Sequence, residues 1–93
     1  MEQKFIAAWS AARQNAATQG VRMRPVTDAD AMKMAHRTLS GTRLSDGFNE
    51  LQAKGLLKWS LEALVIDKRF TELFTDEEAN EALIRLLEAG YKF

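Results

Sequence analysis

The chain has 93 residues, 46% hydrophobic and 28% charged, with 13 basic and 13 acidic side chains that cancel to a formal net charge of zero. Those proportions describe one ordinary globular domain, residues 1–93, since so short a chain has no room for two cores and has neither the low hydrophobicity of a disordered segment nor the charge excess of a dedicated nucleic-acid binder. Cysteine is absent, which excludes a disulfide framework, a thiolate metal site and a cysteine nucleophile, and sets the expected location as cytoplasmic.

Residues 2–18 read as a helix because Phe5, Trp9, Ala12 and Ala16 recur on one face and alanine has the highest helix propensity; Gly20 is its stop. The link 21–26 carries Arg22, Arg24 and the single proline, and Pro25 biases Arg24 towards an extended backbone, so the chain turns here. A second helix is expected over 28–39, capped by Thr27, with Asp28 and Asp30 in its first turn and Ala31, Met32, Ala35 and Leu39 inward. After a turn at Ser40, Gly41 and Thr42, a third is expected over 43–54. Its inward stripe is Leu44, Phe48 and Leu51 and its stop is Gly55, so the second and third helices should form a tight hairpin.

The most apolar stretch runs from Leu56 to Phe74. Within it a fourth helix, over 61–69, is marked by Ser60 as a cap, Glu62 in the first turn and Lys68 and Arg69 in the last, with Leu61, Leu64 and Val65 inward. Phe70, Leu73 and Phe74 continue the apolar surface as an aromatic corner. Thr75 and Glu78 have the spacing of a capping box ahead of a fifth helix over 76–89. There Ala79, Leu83, Leu86 and Leu87 face inward, Asp76, Glu77, Glu81, Arg85 and Glu88 face outward, and Gly90 ends the helix. The sum is an all-α, compact single-domain bundle of about five short helices.

Catalytic signals are sparse. His36 is the single histidine, at the edge of the second helix's apolar stripe, with neither a nucleophile nor an orienting carboxylate nominated beside it, so it reads as a boundary residue with one ring nitrogen hydrogen-bonded. The acidic group Asp76, Glu77, Glu78 and Glu81 reads as capping and a solvated face. Residues 67–78 begin with aspartate and end with glutamate as a calcium loop does, but Arg69 takes the third ligand position and Glu72 that of the turn glycine. With no phosphate loop, no catalytic pair and no cofactor or metal motif, a non-enzymatic protein is expected.

Residues 31–58, AMKMAHRTLSGTRLSDGFNELQAKGLLK, resemble a helix-turn-helix unit, down to an ending of Leu51, Gly55, Leu56 and Leu57 like that of a winged-helix recognition helix. The resemblance implies DNA contacts from Arg43, Asn49 and Lys54, with Arg37 and Lys58 near phosphates. Asp46 and Glu50 on the same polar face would repel phosphate, and no β-hairpin wing follows, so DNA binding is the alternative reading.

The preferred expectation is a module that acts by binding another protein, not yet identified, in a regulatory or adaptor role. Its candidate interface is Trp59 with Lys58, together with the C-terminal aromatics Tyr91 and Phe93, because aromatic residues are enriched where binding energy concentrates. Charge is uneven along the chain, with seven basic and four acidic side chains in residues 21–58 against four and eight in 59–93. That polarity suits complementary docking and leaves self-association into a homo-oligomer open. A membrane partner is not expected, since no window reaches the roughly 18 apolar residues of a span and the N-terminal stretch, broken by Glu2, Gln3 and Arg13, does not read as a secretory signal.

Overall fold

The alanine-rich start of the chain forms its longest helix, α1 (Glu2–Thr18), in a computed structural model that describes residues 2–24 and 26–92. As its spacing predicts, Phe5, Trp9, Ala12 and Ala16 are the buried face. Then follow α2 (Ala31–Ser40), α3 (Phe48–Lys54), a 3₁₀ turn (Leu57–Trp59), α4 (Leu61–Val65), a longer 3₁₀ segment (Lys68–Leu73) and α5 (Asp76–Glu88). No strand occurs among the described residues, and the radius of gyration of 12.0 Å matches the about 12 Å of a close-packed domain of this length. Pro25 and Phe93 lie outside the described residues, and with them the expectations placed on those two side chains.

Helices shorter than about 12–15 residues are marginal in water by themselves. The short elements here are held by their ends and their packing. Three helices finish in the same way: Val21, Leu56 and Tyr91 each donate a backbone N–H to the carbonyl five residues back, on Ala16, Leu51 and Leu86, across a glycine with a left-handed backbone. This double-bonded ending normally brings the residue after the glycine against the helix's last apolar turn. All six of those residues belong to one hydrophobic cluster, so three helix ends converge on a shared apolar centre that also holds Phe48 and Leu57. A second, larger cluster gathers α1, α2, α4 and the aromatic corner, where the Phe5 ring meets Phe70 and Phe74 edge-on at 5.3 and 5.2 Å. Trp59 packs against both clusters and joins them.

Several expected boundaries shift, each for a local reason. The second helix starts at Ala31 and not at 28, because Thr27 bonds the Asp30 carboxylate (3.0 Å) and its own carbonyl accepts the Asp30 N–H, closing a turn over 28–30. The third starts at Phe48 and not at 43, since the chain between Gly41 and Gly47 is a loop; Leu44, expected inward, is 40% exposed. The tight hairpin is therefore absent: α2 packs on α1 and α5, and α3 packs on the Leu57–Trp59 turn. The fourth helix stops at Val65, after which Asp67 accepts the Arg69 N–H and begins the 3₁₀ segment. In α5 the inward face is Ala82, Arg85 and Leu86. Leu87, expected inward, is 56% exposed, and Arg85, expected outward, is buried.

The capping box forms as its spacing predicts: the Thr75 hydroxyl accepts the Glu78 N–H at 3.1 Å and the Glu78 carboxylate accepts the Thr75 N–H at 2.9 Å. Glu78 also binds His36 Nδ1 at 2.6 Å, which fastens α5 to α2, and the His36 ring lies tilted against Phe74. Burial pushes the Glu78 carboxyl up, but the Thr75 amide and His36 outweigh it and hold it below its ordinary value. A depressed carboxyl stabilises the fold above its unfolded pKa, and the contribution disappears as pH falls through the folded value. Glu78→Gln should therefore lose on the order of 1 kcal/mol at pH 7, a deficit that narrows below about pH 4.3 when wild type and variant are compared by urea unfolding. A deficit equal at pH 7 and pH 3 would contradict the assignment.

Candidate functional site

Two charged side chains are buried, one of them, Arg85, where the sequence pattern expects surface. Glu62 is 0% and Arg85 5% exposed, and they face each other from α4 and α5 with Arg85 Nη1 3.2 Å from Glu62 Oε2. Burying a charge is costly unless its hydrogen-bonding groups are satisfied. The Glu62 carboxylate also accepts the Ser45 hydroxyl and, at 3.1 Å, the Ser45 N–H. The Arg85 guanidinium donates through Nη2 to the carbonyls of Thr38 (3.1 Å) and Gly41 (3.0 Å), and through Nε to Glu81 (3.3 Å). Arg85 thus supplies a cation and donors to the last carbonyls of α2, groups a helix leaves unpaired at its C-terminus. Glu62 and Arg85 together hold both ends of the 41–47 loop's first half.

The loop's second half is fixed differently. The Asp46 carboxylate accepts the Arg24 N–H from the link after α1. Gly47 has φ +78, and a methyl group there would sit 2.9 Å from Met23 Cγ, so backbone and space both require glycine.

Loop, link and helices enclose a cavity of about 250 Å³. Its floor is Trp9 of α1 and Leu61 of α4, both buried, with the buried Ser45 beside them. The rim carries Met34 of α2 and Leu44 of the loop, both exposed, and Met23 and Val26 of the link. Three arginines from three elements line it: Arg13 of α1, Arg24 of the link and Arg43 of the loop. Arg13 lies over the Trp9 ring, with Cζ 5.4 Å from its centre, and its Nε is buried without a hydrogen-bond partner. The volume lies below the roughly 300–1,000 Å³ of drug-sized ligand sites, so it fits one or two side chains better than an organic cofactor.

Of the candidate interface and DNA-contact residues, Arg43 alone lines this cavity. Arg37 is exposed on α2 but outside the lining, Asn49 and Lys54 are exposed on α3 and Lys58 on the turn after it, and the cavity does not gather them. Trp59 is half-buried between the two clusters, with Lys58 Nζ 5.3 Å from its ring centre, and Tyr91 is half-buried against the smaller cluster. Arg13 and Arg24 were missed, since one sits on a helix flank and the other in a link, and neither pattern brings them together. Leu44 had a usable signal: it stands between Arg43, Ser45 and Asp46, all polar, ahead of a glycine. Among the described residues no group of three or more His, Asp or Glu side chains is placed to hold a metal ion, and no helix is long and apolar enough to cross a membrane. The chain matches no known family model, no curated protein and no solved structure.

The buried pair makes a two-part expectation. Arg85→Met leaves the Glu62 charge uncompensated and should cost about 3–5 kcal/mol, read as a fall in urea midpoint at unchanged slope. Adding Glu62→Leu should restore only part of it, because the Ser45 N–H and the carbonyls of Thr38 and Gly41 stay unpartnered. Complete restoration would mean that the pair does not tether the loop.

Proposed function

We propose that this chain is a small non-enzymatic helical module that acts by binding another protein, and that the partner docks at the mouth of the cavity between α1 and the 41–47 loop. The observation that carries this reading is the arrangement of exposed Leu44 and Met34 over a buried floor of Trp9 and Leu61. Apolar side chains at the edge of a recess, on backbone that is held in place, are what an inserted anchor residue needs. Groups that could carry chemistry have structural occupations instead: His36 and Glu78 bind each other at the start of α5, and Glu62 and Arg85 bind the loop. The cytoplasmic setting expected from the cysteine-free composition belongs to the same proposal.

The helix-turn-helix alternative has weaker support. Seven residues separate α2 from α3, where that motif uses a short turn, and α3 has only two turns on which to present Asn49 and Lys54. Trp59 also serves poorly as a free interface residue, because it bridges the two clusters.

Selection of displayed random peptides against the immobilised chain tests the proposal. Recovered peptides should lose about tenfold or more in affinity for Leu44→Glu and for Met34→Glu, with the far-UV circular dichroism of both variants unchanged. Peptides indifferent to both substitutions would place the docking surface elsewhere. Duplex DNA bound with a steep salt dependence, and lost in Arg43→Glu, would favour the alternative.

A further inference from the structure

The charges lining the cavity are unbalanced. Three guanidiniums, from Arg13, Arg24 and Arg43, share it with one carboxylate, Asp46, which already accepts the Arg24 backbone N–H. Among the described residues none of the three is in an ion pair. Arg13 is the most constrained: its side chain lies against Trp9 and its Nε is buried with no partner. A buried donor left unsatisfied costs about 1–3 kcal/mol, more when charged, and native structures contain few. Arg13 also lines a cavity with room for a side chain; Nε itself has no accessible surface there, so the part of the guanidinium open to a ligand lies beyond it.

Resting on the docking reading above, we infer that the cavity receives an acidic side chain of the partner protein, whose carboxylate pairs with Arg13 while its stem and a neighbouring apolar residue cover Leu44 and Met34. The planar guanidinium presents parallel N–H groups at the spacing of the two carboxylate oxygens, and such charge-assisted bonds are about twice as strong as neutral ones. The apolar lining selects among anions. Trp9, Met34 and Leu44 offer surface that a glutamate or aspartate beside a leucine-like residue would bury, whereas a bare phosphate would leave it wet. The partner's docking segment is therefore acidic and apolar in alternation.

The test uses a blocked peptide of alternating glutamate and leucine, titrated into nitrogen-15-labelled protein while the Arg13 Nε–Hε resonance is followed. The same peptide with glutamine for glutamate, free hexanoate, and a short mixed-sequence DNA duplex are run beside it. The glutamate peptide should move the resonance saturably, and the glutamine peptide should bind about tenfold or more weakly. Arg13→Gln should lose the peptide to the same extent with circular dichroism unchanged; should that variant not fold, Arg43→Gln, at an exposed position, should weaken binding severalfold. Equal binding of the two peptides would overturn the carboxylate inference and leave the docking reading standing if the displayed peptides still require Leu44. Hexanoate saturating the site where the peptide does not would assign the cavity to a free small acid, and a response to DNA alone would assign it to phosphate; either overturns the inference. Silence from all four probes overturns it too, and the docking reading falls with it only if Leu44→Glu and Met34→Glu are also without effect on the displayed peptides.

Discussion

The contact between Arg85 and Glu62 is the constraint on which the middle of this fold depends. A buried ion pair is weak evidence of stability in general, because the desolvation of two charges offsets most of their attraction. This pair differs in what else it satisfies. Glu62 receives both donors of Ser45, and Arg85 takes up carbonyls at the end of α2, so an irregular segment without a helix of its own is fastened to α4 and α5 through backbone groups. An apolar pair of the same volume would fill the space, leave the Ser45 N–H buried and unpartnered, and release the carbonyls of Thr38 and Gly41 from the core. The pair therefore specifies where the 41–47 loop lies, more than it adds to total stability.

That loop placement matters because the rest of the core could form without it. Three helix endings meet in the smaller cluster, and the Phe5, Phe70 and Phe74 rings meet in the larger one, each from residues outside 41–47. Trp59 couples the two halves, and the five residues of α4 run between α5 and α1. What the loop adds is a wall: with Leu44 outward and Ser45 inward, it closes a recess over Trp9 and Leu61 that helix packing alone leaves open.

The sequence was most legible where a signal is local. The capping box at Thr75 and Glu78, the Ser60 cap, the glycine stops and the α1 stripe all depend on residues within one or two turns, and each is present as its pattern predicts. Helix placement between 40 and 48 was misread because Leu44, Phe48 and Leu51 have helical spacing, while the competing bonds are distant: Ser45 reaches Glu62, and Asp46 meets the backbone of Arg24. No periodicity contains that information. In α5 a leucine-based stripe put Leu87 inward and Arg85 outward, and the opposite holds because Arg85 has an acceptor set that exists only once α2, α4 and the loop have assembled. The candidate cavity was illegible for the same reason, since its three arginines come from three elements and of them only Arg43 was a candidate contact.

Assembly also turns a sequence-level charge asymmetry into a spatial one. The cavity takes its lining from residues 9–46 and Leu61, so none of the carboxylates of the acidic C-terminal third contributes to it among the described residues. Glu77, Glu78 and Glu81 line a separate hollow near Leu39 and Gly41 instead. A formally neutral protein thus presents a basic recess and an acidic surface at different places. Such separation does little for affinity by itself, but it orients an approaching partner and rejects wrongly charged ones. It also sets the sign of any docking segment: the same Arg85 that withdraws a positive charge into the core, to hold the loop, leaves Arg13, Arg24 and Arg43 as the charges that a partner meets.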